Sequence, residues 1–128
     1  MLCVQVRTAR PFNAETPARL LVDSFVTPNE LFYVRNHLPV PQGPAPAQLE
    51  VTGVGLRRPL SLSVADLRRR FAAHTVTTTM QCAGNRRSDM RADDGRGAVR
   101  GLPWGVGAIG TARWTGALLR DVLDWAGV

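Results

Sequence analysis

The stretch TVTTTMQCAGNRRSDM, residues 75–90, places a cysteine where β-branched residues give way to small and basic ones. Cys82 follows a run that is typical of a β-strand, and the Ala-Gly pair after it leaves space beside the thiol. Positive charge from Arg86 and Arg87 stabilises a thiolate, the form that attacks electrophiles or binds metals. The pattern predicts a functional thiol at the end of a strand, with a buried structural cysteine as the alternative.

The other residues that a cysteine site would need are scarce in this sequence. A cysteine nucleophile requires a histidine base, and His37 and His74 are the only candidates. Cys3 and Cys82 lack the short spacing of a zinc site, and two cysteines do not form a disulfide-rich scaffold. A reduced compartment, or one free functional thiol, fits this cysteine usage.

The segment GVGAIG at residues 105–110 matches the G-x-G-x-x-G pattern of dinucleotide-binding proteins. That pattern has its meaning only where it follows a strand and opens a helix. Here it follows Pro103-Trp104 and continues into TARW, so we interpret it as a chance match in a glycine-rich loop.

Composition limits the class of protein. The chain has 128 residues, the size of one domain, with 45% hydrophobic residues and a net charge of +6. No apolar run is long enough to span a membrane and no secretory signal is visible, which predicts a soluble protein of open localisation. All sixteen basic residues are arginine. They are scattered without aromatic interleaving, so charge alone supports only non-specific binding of polyanions.

The elements that position the cysteine mix strands and helices without a βαβ rhythm, which predicts an α+β fold with a mixed sheet and short helices. The opening segment is expected to be coil with a short helix capped at Thr16, and Thr27 begins a second capping pattern. The remaining expectations are a proline-rich loop at 35–48, strands in LEVTGV, PLSL and TVTTTM, an exposed excursion at 91–101, a helix after Ser63, and a last helix over 116–125.

The two later helices carry the clearer signals. Ser63 and Asp66 have capping spacing, and the arginines at 68–70 are expected on a solvated face. The last helix is predicted to bury Leu118, Leu119, Val122 and Leu123, and to end before Gly127.

Three separated motifs, in this order, resemble the molybdenum-cofactor domain of the sulfite oxidase family. They are TPNELFYVRNHLPVP, MQCAGNRRSDM and VRGLPWGVGAIGTARW. The resemblance covers essentially the whole chain, and it implies a sulfite-oxidase-type molybdopterin-binding fold. It also implies that residues 1–128 are the N-terminal part of a longer domain, so that the fold is truncated here, because family members continue well beyond this point.

The resemblance implies a role for several residues. Cys82 is similar to the protein ligand of molybdenum, the other sulfur ligands coming from molybdopterin; a soft thiolate suits such a metal. Arg35 and Arg87 resemble arginines that bind the substrate oxyanion. Trp104 and Arg100 resemble residues of the substrate pocket, whereas an ordinary core aromatic is the alternative for Trp104. Residues similar to the segment that wraps the cofactor are Tyr33, Val34, Arg35, Asn36 and His37.

By this resemblance the parent protein oxidises sulfite to sulfate at a molybdenum-molybdopterin centre, and the arginines hold the oxyanion bidentately. The implied electron acceptor is a cytochrome or dioxygen, with haem only in a separate domain or partner. A homodimer and the mitochondrial intermembrane space are further implications. Three alternatives stay open: a nitrate-reductase-type member of the same family, a non-catalytic fragment that cannot hold the cofactor, and a basic module that binds polyanions without specificity.

Overall fold

Eight short β-strands and three short α-helices form the regular structure of residues 4–92 and 97–128, the part of the chain that this computed structural model describes. The strands are β1 (Gln5–Ala9), β2 (Phe12–Glu15), β3 (Leu49–Val51), β4 (Leu60–Leu62), β5 (His74–Gln81), β6 (Arg91–Ala92), β7 (Gly97–Ala98) and β8 (Ile109–Gly116). The helices are α1 (Ala18–Leu21), α2 (Val64–Arg70) and α3 (Leu119–Ala126), with 3-10 turns at Asn29–Leu31 and Arg87–Asp89. The expected mixture of strands and short helices is confirmed.

The arrangement of the strands differs from the expected mixed sheet. Within the described ranges the strands form four two-stranded sheets, which pair β1 with β2, β3 with β4, β5 with β8 and β6 with β7. Six of the strands have five residues or fewer, and Ala14 in β2 forms a further bridge to Val34. The expected excursion at 91–101 contains the short β6–β7 pair, and residues 93–96 of this stretch lie outside the described residues, as does Cys3.

The chain divides into two compact units. The first, which we call the cysteine unit, combines Met1–Pro41 with Thr77–Arg113, and the second, the helical unit, combines Gln42–Val76 with Trp114–Val128. None of the helices in the described part of the chain is long and apolar enough to cross a membrane.

The cysteine unit begins with an antiparallel hairpin, so the expectation of an opening coil was wrong. Strand β1 pairs with β2 from Gln5↔Glu15 to Ala9↔Phe12, and the register shifts between Val6 and Thr8. This β-bulge at Arg7 breaks the alternation of side chains that would have marked the strand in the sequence. The proline-rich stretch at 35–48 lacks regular structure, as predicted.

Both predicted threonine caps were wrong, because the hydroxyl groups serve long-range contacts. Helix α1 has Pro17 at its N-cap and the 3-10 turn at Asn29–Leu31 has Pro28 there, in each case without a side-chain cap. The Thr16 hydroxyl donates instead to the carbonyl oxygen of Leu31. The Thr27 hydroxyl accepts a hydrogen bond from the Thr111 backbone N–H at 3.1 Å.

The helical unit follows its sequence pattern closely. Strands β3 and β4 pair with Leu49 opposite Leu62, and Leu60 and Leu62 are buried. Helix α2 has the predicted capping box: the Ser63 hydroxyl accepts from the Asp66 N–H at 3.0 Å, and the Asp66 carboxylate accepts from the Ser63 N–H at 3.1 Å. The predicted solvated arginines on α2 are exposed.

The last helix is shorter than predicted. Strand β8 continues to Gly116, so helix α3 begins only at Leu119, and Leu119 is 71% exposed instead of buried. Val122 is buried as predicted, and Ala126 joins it. Leu118 is the N-cap, and Gly127 ends the helix in the left-handed region at φ 82°, where glycine carries no Cβ penalty.

Candidate functional site

Cys82 directly follows strand β5, so the prediction of a cysteine at a strand end is confirmed. Its side chain is partly exposed. The Gly84 N–H lies 3.4 Å from Cys82 Sγ, and the Cys82 carbonyl oxygen accepts a hydrogen bond from the Asn85 N–H at 2.9 Å. The thiol therefore stands on a tight turn with a backbone donor beside it, and solvent or a ligand can reach it.

A second segment holds this turn from one side through backbone hydrogen bonds. The Cys82 N–H donates to the Ala108 carbonyl at 2.9 Å, and the Ala108 N–H donates to Asn85 Oδ1 at 3.0 Å. Further along, the Arg86 N–H donates to Gly105 O at 2.7 Å and the Ser88 N–H donates to Trp104 O at 3.0 Å. Residues 104–108, which we call the support segment, thus fix the cysteine turn at four points.

The two arginines after the cysteine differ in their surroundings. Arg86 adopts the left-handed conformation at φ 66°, and its exposed side chain pairs with Asp89 at 2.8 Å. Arg87 points inward and donates from Nη1 to the Leu102 carbonyl at 3.0 Å. A Cβ at Gly84 would lie 2.6 Å from Arg87 Nη1, and one at Gly101 would lie 3.0 Å from it. Two glycines therefore make the space in which the Arg87 guanidinium lies.

The segment from Tyr33 to His37 is anchored on the first hairpin. Val34 exchanges backbone hydrogen bonds with Ala14 in β2 at 3.0 and 2.8 Å. The Asn36 N–H donates to Asn13 Oδ1 at 2.8 Å, and Asn36 Nδ2 donates to Phe12 O at 2.7 Å. The contacts of Val34 and Asn36 are structural, and they fix the backbone beside Tyr33, Arg35 and His37.

Tyr33 is the member of that segment with a clear electrostatic relation to the cysteine. Burial raises the pKa of the Tyr33 phenol, and the negative charge of the Cys82 thiolate raises that pKa further. An electrostatic effect of this kind requires the two side chains to lie near each other. The Tyr33 phenol therefore lies within electrostatic range of Cys82, although the two residues are distant in the sequence.

Arg35 and His37 form an exposed pair. Arg35 Nη2 lies 2.8 Å from His37 Nδ1, and Arg35 Nη1 donates to the carbonyl oxygen of Asn36. These contacts hold the guanidinium against its own loop, and its other N–H groups have no partner within the described ranges of the chain. An exposed guanidinium with free donors is suited to a small oxyanion.

The two remaining predicted pocket residues have contrasting surroundings. Trp104 is fully buried at 0% exposure, and its Nε1 has no hydrogen-bond partner among residues 4–92 and 97–128. Burial of this kind agrees with the alternative of a core aromatic. Arg100 is exposed. The pocket roles of both residues stay predictions.

The glycines at 105, 107 and 110 do not form a nucleotide-binding loop, because they lead into strand β8 and not into a helix. Each one instead permits close packing. A Cβ at Gly105 would lie 2.7 Å from Glu15 Oε1, one at Gly107 only 1.8 Å from the Thr16 carbonyl oxygen, and one at Gly110 2.6 Å from the Phe32 ring. Sequence reasoning missed this function, although three glycines in six residues were a signal of close backbone approach.

Glu15 is a further residue of this region, and no sequence pattern predicted it. Its side chain is 2% exposed, its carboxylate pairs with Arg7, and it accepts hydrogen bonds from the Gly105 N–H. Asn85 was also missed as a structural residue of the turn. Gly105 lies 90 positions from Glu15, and Ala108 lies 23 positions from Asn85, so no local pattern marks these two contacts.

The described residues contain no group of three or more His, Cys, Asp and Glu that could hold a metal ion. A metal held at Cys82 would have one protein sulfur, and its other ligands would come from a bound group. The donor set fits such a centre: the sulfur is accessible, a backbone N–H stabilises its thiolate, and a thiolate is a soft ligand.

This site and fold agree with the comparison to known proteins. The family described as oxidoreductase molybdopterin binding domain matches residues 37–128, and the chain belongs to this family. Sulfite oxidase of Gallus gallus is 58% identical over 97% of this chain and 26% of its own length. Mitochondrial sulfite oxidase of Rattus norvegicus is 51% identical over 97% of this chain and 22% of its own length. The chain spans about a quarter of the length of these relatives.

A relative with a different named activity is also similar. Nitrate reductase [NADH] of Hordeum vulgare is 42% identical over 98% of this chain and 14% of its own length. The predicted family is therefore confirmed, and the choice of substrate within it is a separate question.

Proposed function

We propose that this chain belongs to a molybdenum-dependent enzyme that oxidises sulfite to sulfate, with Cys82 as the protein ligand of the metal. The observation that carries the proposal is the accessible sulfur on the turn after β5, with the Gly84 N–H at 3.4 Å. The identity to sulfite oxidases over 97% of the chain supports the choice of reaction.

The molybdenum-molybdopterin cofactor, when bound, supplies oxygen-atom transfer and accepts the two electrons. Cys82 would hold the metal. The segment on the first hairpin would contact the cofactor, with Tyr33, Val34, Arg35, Asn36 and His37 as the proposed binding residues. Because Asn36 and Val34 are fixed to β2, this segment is rigid before the cofactor arrives.

Sulfite is a small oxyanion with a lone pair on sulfur, so its oxygens must be held while its sulfur stays free to react. Arg35 and Arg87 are the proposed anion-binding residues, with Arg100 and Trp104 as further pocket residues. Arg87 is fixed by its bond to Leu102 and by the glycines around it. A guanidinium held in this way binds an oxyanion with little loss of side-chain entropy.

Turnover assays decide between sulfite and nitrate. The protein encoded by the complete reading frame is expected to reduce ferricyanide or cytochrome c when sulfite is added. Robust turnover of nitrate without turnover of sulfite would assign the chain to the nitrate-reducing branch instead.

The isolated 128-residue chain requires its own test, because it spans only about a quarter of the length of the relatives it matches. We propose that residues 1–128 form the N-terminal part of the molybdopterin-binding domain. Molybdenum analysis after gel filtration separates two outcomes: stoichiometric metal shows that the chain binds cofactor alone, and metal-free protein shows that it is a fragment without catalytic function.

The proposed setting of the parent protein follows the relatives. A homodimer, a cytochrome or dioxygen as electron acceptor, and haem only in another domain or protein are parts of this proposal. The mitochondrial intermembrane space is the proposed location, supported by relatives named as mitochondrial sulfite oxidases. Fractionation of cells and sedimentation of the purified protein test location and dimerisation.

Substitutions test the site residues. Cys82→Ser in the protein from the complete reading frame is expected to abolish sulfite oxidation and leave the fold intact, because the exchange alters one atom on an accessible turn. Arg35→Gln is expected chiefly to raise the KM for sulfite, since it removes a charge-assisted anion contact. An unchanged KM would contradict the role of Arg35.

A further inference from the structure

Glu15 is a buried acid that the proposed chemistry does not use. Its side chain is 2% exposed, yet it carries a full set of polar contacts. The Gly105 N–H lies 2.8 Å from Glu15 Oε2 and 3.2 Å from Oε1, and the Arg7 guanidinium pairs with Oε1. The carboxylate is therefore held between an arginine and one backbone N–H.

Two local features of the backbone, a β-bulge at Arg7 and a glycine at 105, permit this contact. Arg7 is the extra residue of the β-bulge in β1, and a bulge redirects the side chain of the bulged residue. Gly105 has no side chain at the place where a Cβ would lie 2.7 Å from Glu15 Oε1 and 2.9 Å from Arg7 Nη2. A bulge on one side and a glycine on the other thus bring the ion pair against the backbone of residue 105.

The neighbouring residue repeats the contact on the same segment. The Thr16 N–H donates to Gly107 O at 3.1 Å, and the absence of a side chain on Gly107 permits this approach. Glu15 and Thr16 therefore bind the support segment, residues 104–108. The same segment is bonded to the cysteine turn through Cys82, Asn85, Arg86 and Ser88.

We infer that Glu15, together with Arg7, is a positioning residue for the thiol of Cys82: it holds the support segment, and that segment holds the cysteine turn. This inference deepens the proposed function and depends on it for the role of the thiol in metal binding. A buried ion pair gives little net stability compared with apolar residues of the same size, so stability alone does not account for it. Its effect is to fix the Gly105 backbone, which accepts the Arg86 N–H at 2.7 Å.

The rate at which iodoacetamide alkylates Cys82 tests this inference without any metal. The 128-residue chain is used in a Cys3→Ser background, so that Cys82 is the one thiol left. Glu15→Gln and Arg7→Gln both weaken the contacts that fix the support segment. The cysteine turn bonded to that segment then becomes more mobile and exposes the sulfur. Each is expected to raise the alkylation rate about fivefold, the factor that corresponds to about 1 kcal/mol.

The signs of the two charges make the test specific. If the pair acted only through its electric field, removal of the negative Glu15 would speed alkylation and removal of the positive Arg7 would slow it. Changes in opposite directions, or no change in either variant, would overturn the inference. Arg7 is partly exposed, so Arg7→Gln keeps the test decisive if Glu15→Gln does not fold.

Two control variants exclude simpler causes. Glu30→Gln makes the same exchange at an exposed glutamate, and Leu62→Ala destabilises the helical unit. Both are expected to leave the alkylation rate within about twofold of the parent, a difference of less than about 0.5 kcal/mol. An equal acceleration in Leu62→Ala would show that general loss of stability is the cause. Because no molybdenum is involved, failure of this inference is distinct from failure of the proposed enzymatic function.

Discussion

The cysteine unit buries polar residues beside apolar ones such as Trp104, whereas the helical unit buries apolar residues alone. In the described part of the cysteine unit, five polar residues are buried: Asn13, Glu15, Thr16, Thr27 and Thr111. The buried residues of the helical unit are all apolar: Leu60, Leu62, Val122 and Ala126. A buried polar group without a hydrogen-bond partner lowers the stability of the fold. Hydrogen-bond geometry therefore specifies the cysteine unit. The helical unit is specified by apolar contact and helix capping.

The difference has a functional meaning for the site. A ligand atom or an anion-binding group must be held within a fraction of an ångström, and networks of hydrogen bonds fix direction as well as distance. The cysteine turn has such a network, whereas the helical unit needs only to keep its apolar faces together. Substitutions in the two units should therefore destabilise the protein for different physical reasons.

The largest effect is expected for Gly107→Ala in the cysteine unit. The new Cβ would lie 1.8 Å from the Thr16 carbonyl oxygen, so the hydrogen bond between Thr16 and residue 107 must break and the backbones must separate. We expect a loss of about 4 kcal/mol in the free energy of unfolding. Urea-induced unfolding measures it.

Gly116→Ala is the matched control at the end of strand β8. A Cβ there has no atom within 4 Å, so the same exchange should be neutral or stabilise by about 0.5 kcal/mol through reduced chain entropy. Equal losses at the two positions would refute the claim that close backbone approach specifies the cysteine unit.

Leu62→Ala should produce the next largest effect, in the helical unit. Leu62 is 2% exposed, so the exchange removes buried apolar surface and leaves a cavity, at a cost of about 3 kcal/mol. Leu119→Ala, at a leucine that is 71% exposed, should cost less than about 0.5 kcal/mol. If the two exchanges cost the same in urea unfolding, apolar burial is not what holds this unit.

A smaller effect is expected for Ser63→Ala at the start of helix α2. The exchange removes the hydroxyl that accepts the Asp66 N–H, and loss of such a cap costs about 1 kcal/mol. Ser61→Ala is the control, because the Ser61 hydroxyl donates to the exposed Gln48 side chain and caps no helix in the described part of the chain. Thermal unfolding is the measurement. A larger fall in Tm for Ser61→Ala than for Ser63→Ala would contradict the capping role.

The smallest effect is the acid dependence that the same cap confers. Hydrogen bonds from the Ser63 hydroxyl and N–H lower the pKa of Asp66 below its ordinary value of 3.8, and Arg69 and Arg70 lower it further. A carboxyl whose pKa is lower in the folded state stabilises the fold above the unfolded pKa, and this contribution is lost as the pH falls through the folded pKa.

The measurement is the urea midpoint followed from about pH 5 to about pH 2. Asp66→Asn should flatten the decline over this range, since the uncharged side chain cannot be titrated. A variant curve that falls as steeply as the parent curve would show that other carboxyls dominate the acid response.

Prediction from the sequence succeeded where short-range patterns decide the structure. The β-branched run at 75–80 predicted strand β5, and the spacing of Ser63 and Asp66 predicted the capped helix α2. These signals span four to eight residues and concern backbone preferences of adjacent positions. The same kind of signal located Cys82 at the end of a strand.

Prediction failed where the partner of a residue lies far along the chain. Glu15 and Gly105 are 90 positions apart, and Thr27 and Thr111 are 84 apart, so no window of sequence contains both. Thr16 and Thr27 match the sequence pattern of helix caps. Their hydroxyls form long-range hydrogen bonds instead. Strand β1 was not predicted because the bulge at Arg7 interrupts the alternation of side chains that identifies a strand.

The association of Cys82 with molybdenum is most directly tested by X-ray absorption at the molybdenum K-edge, on the metal-loaded protein from the complete reading frame. Parent protein and Cys82→Ser should be compared at equal metal content. The account predicts that the variant loses one sulfur neighbour at bonding distance from the metal. Identical sulfur shells in the two proteins would show that the thiol of Cys82 does not bind molybdenum.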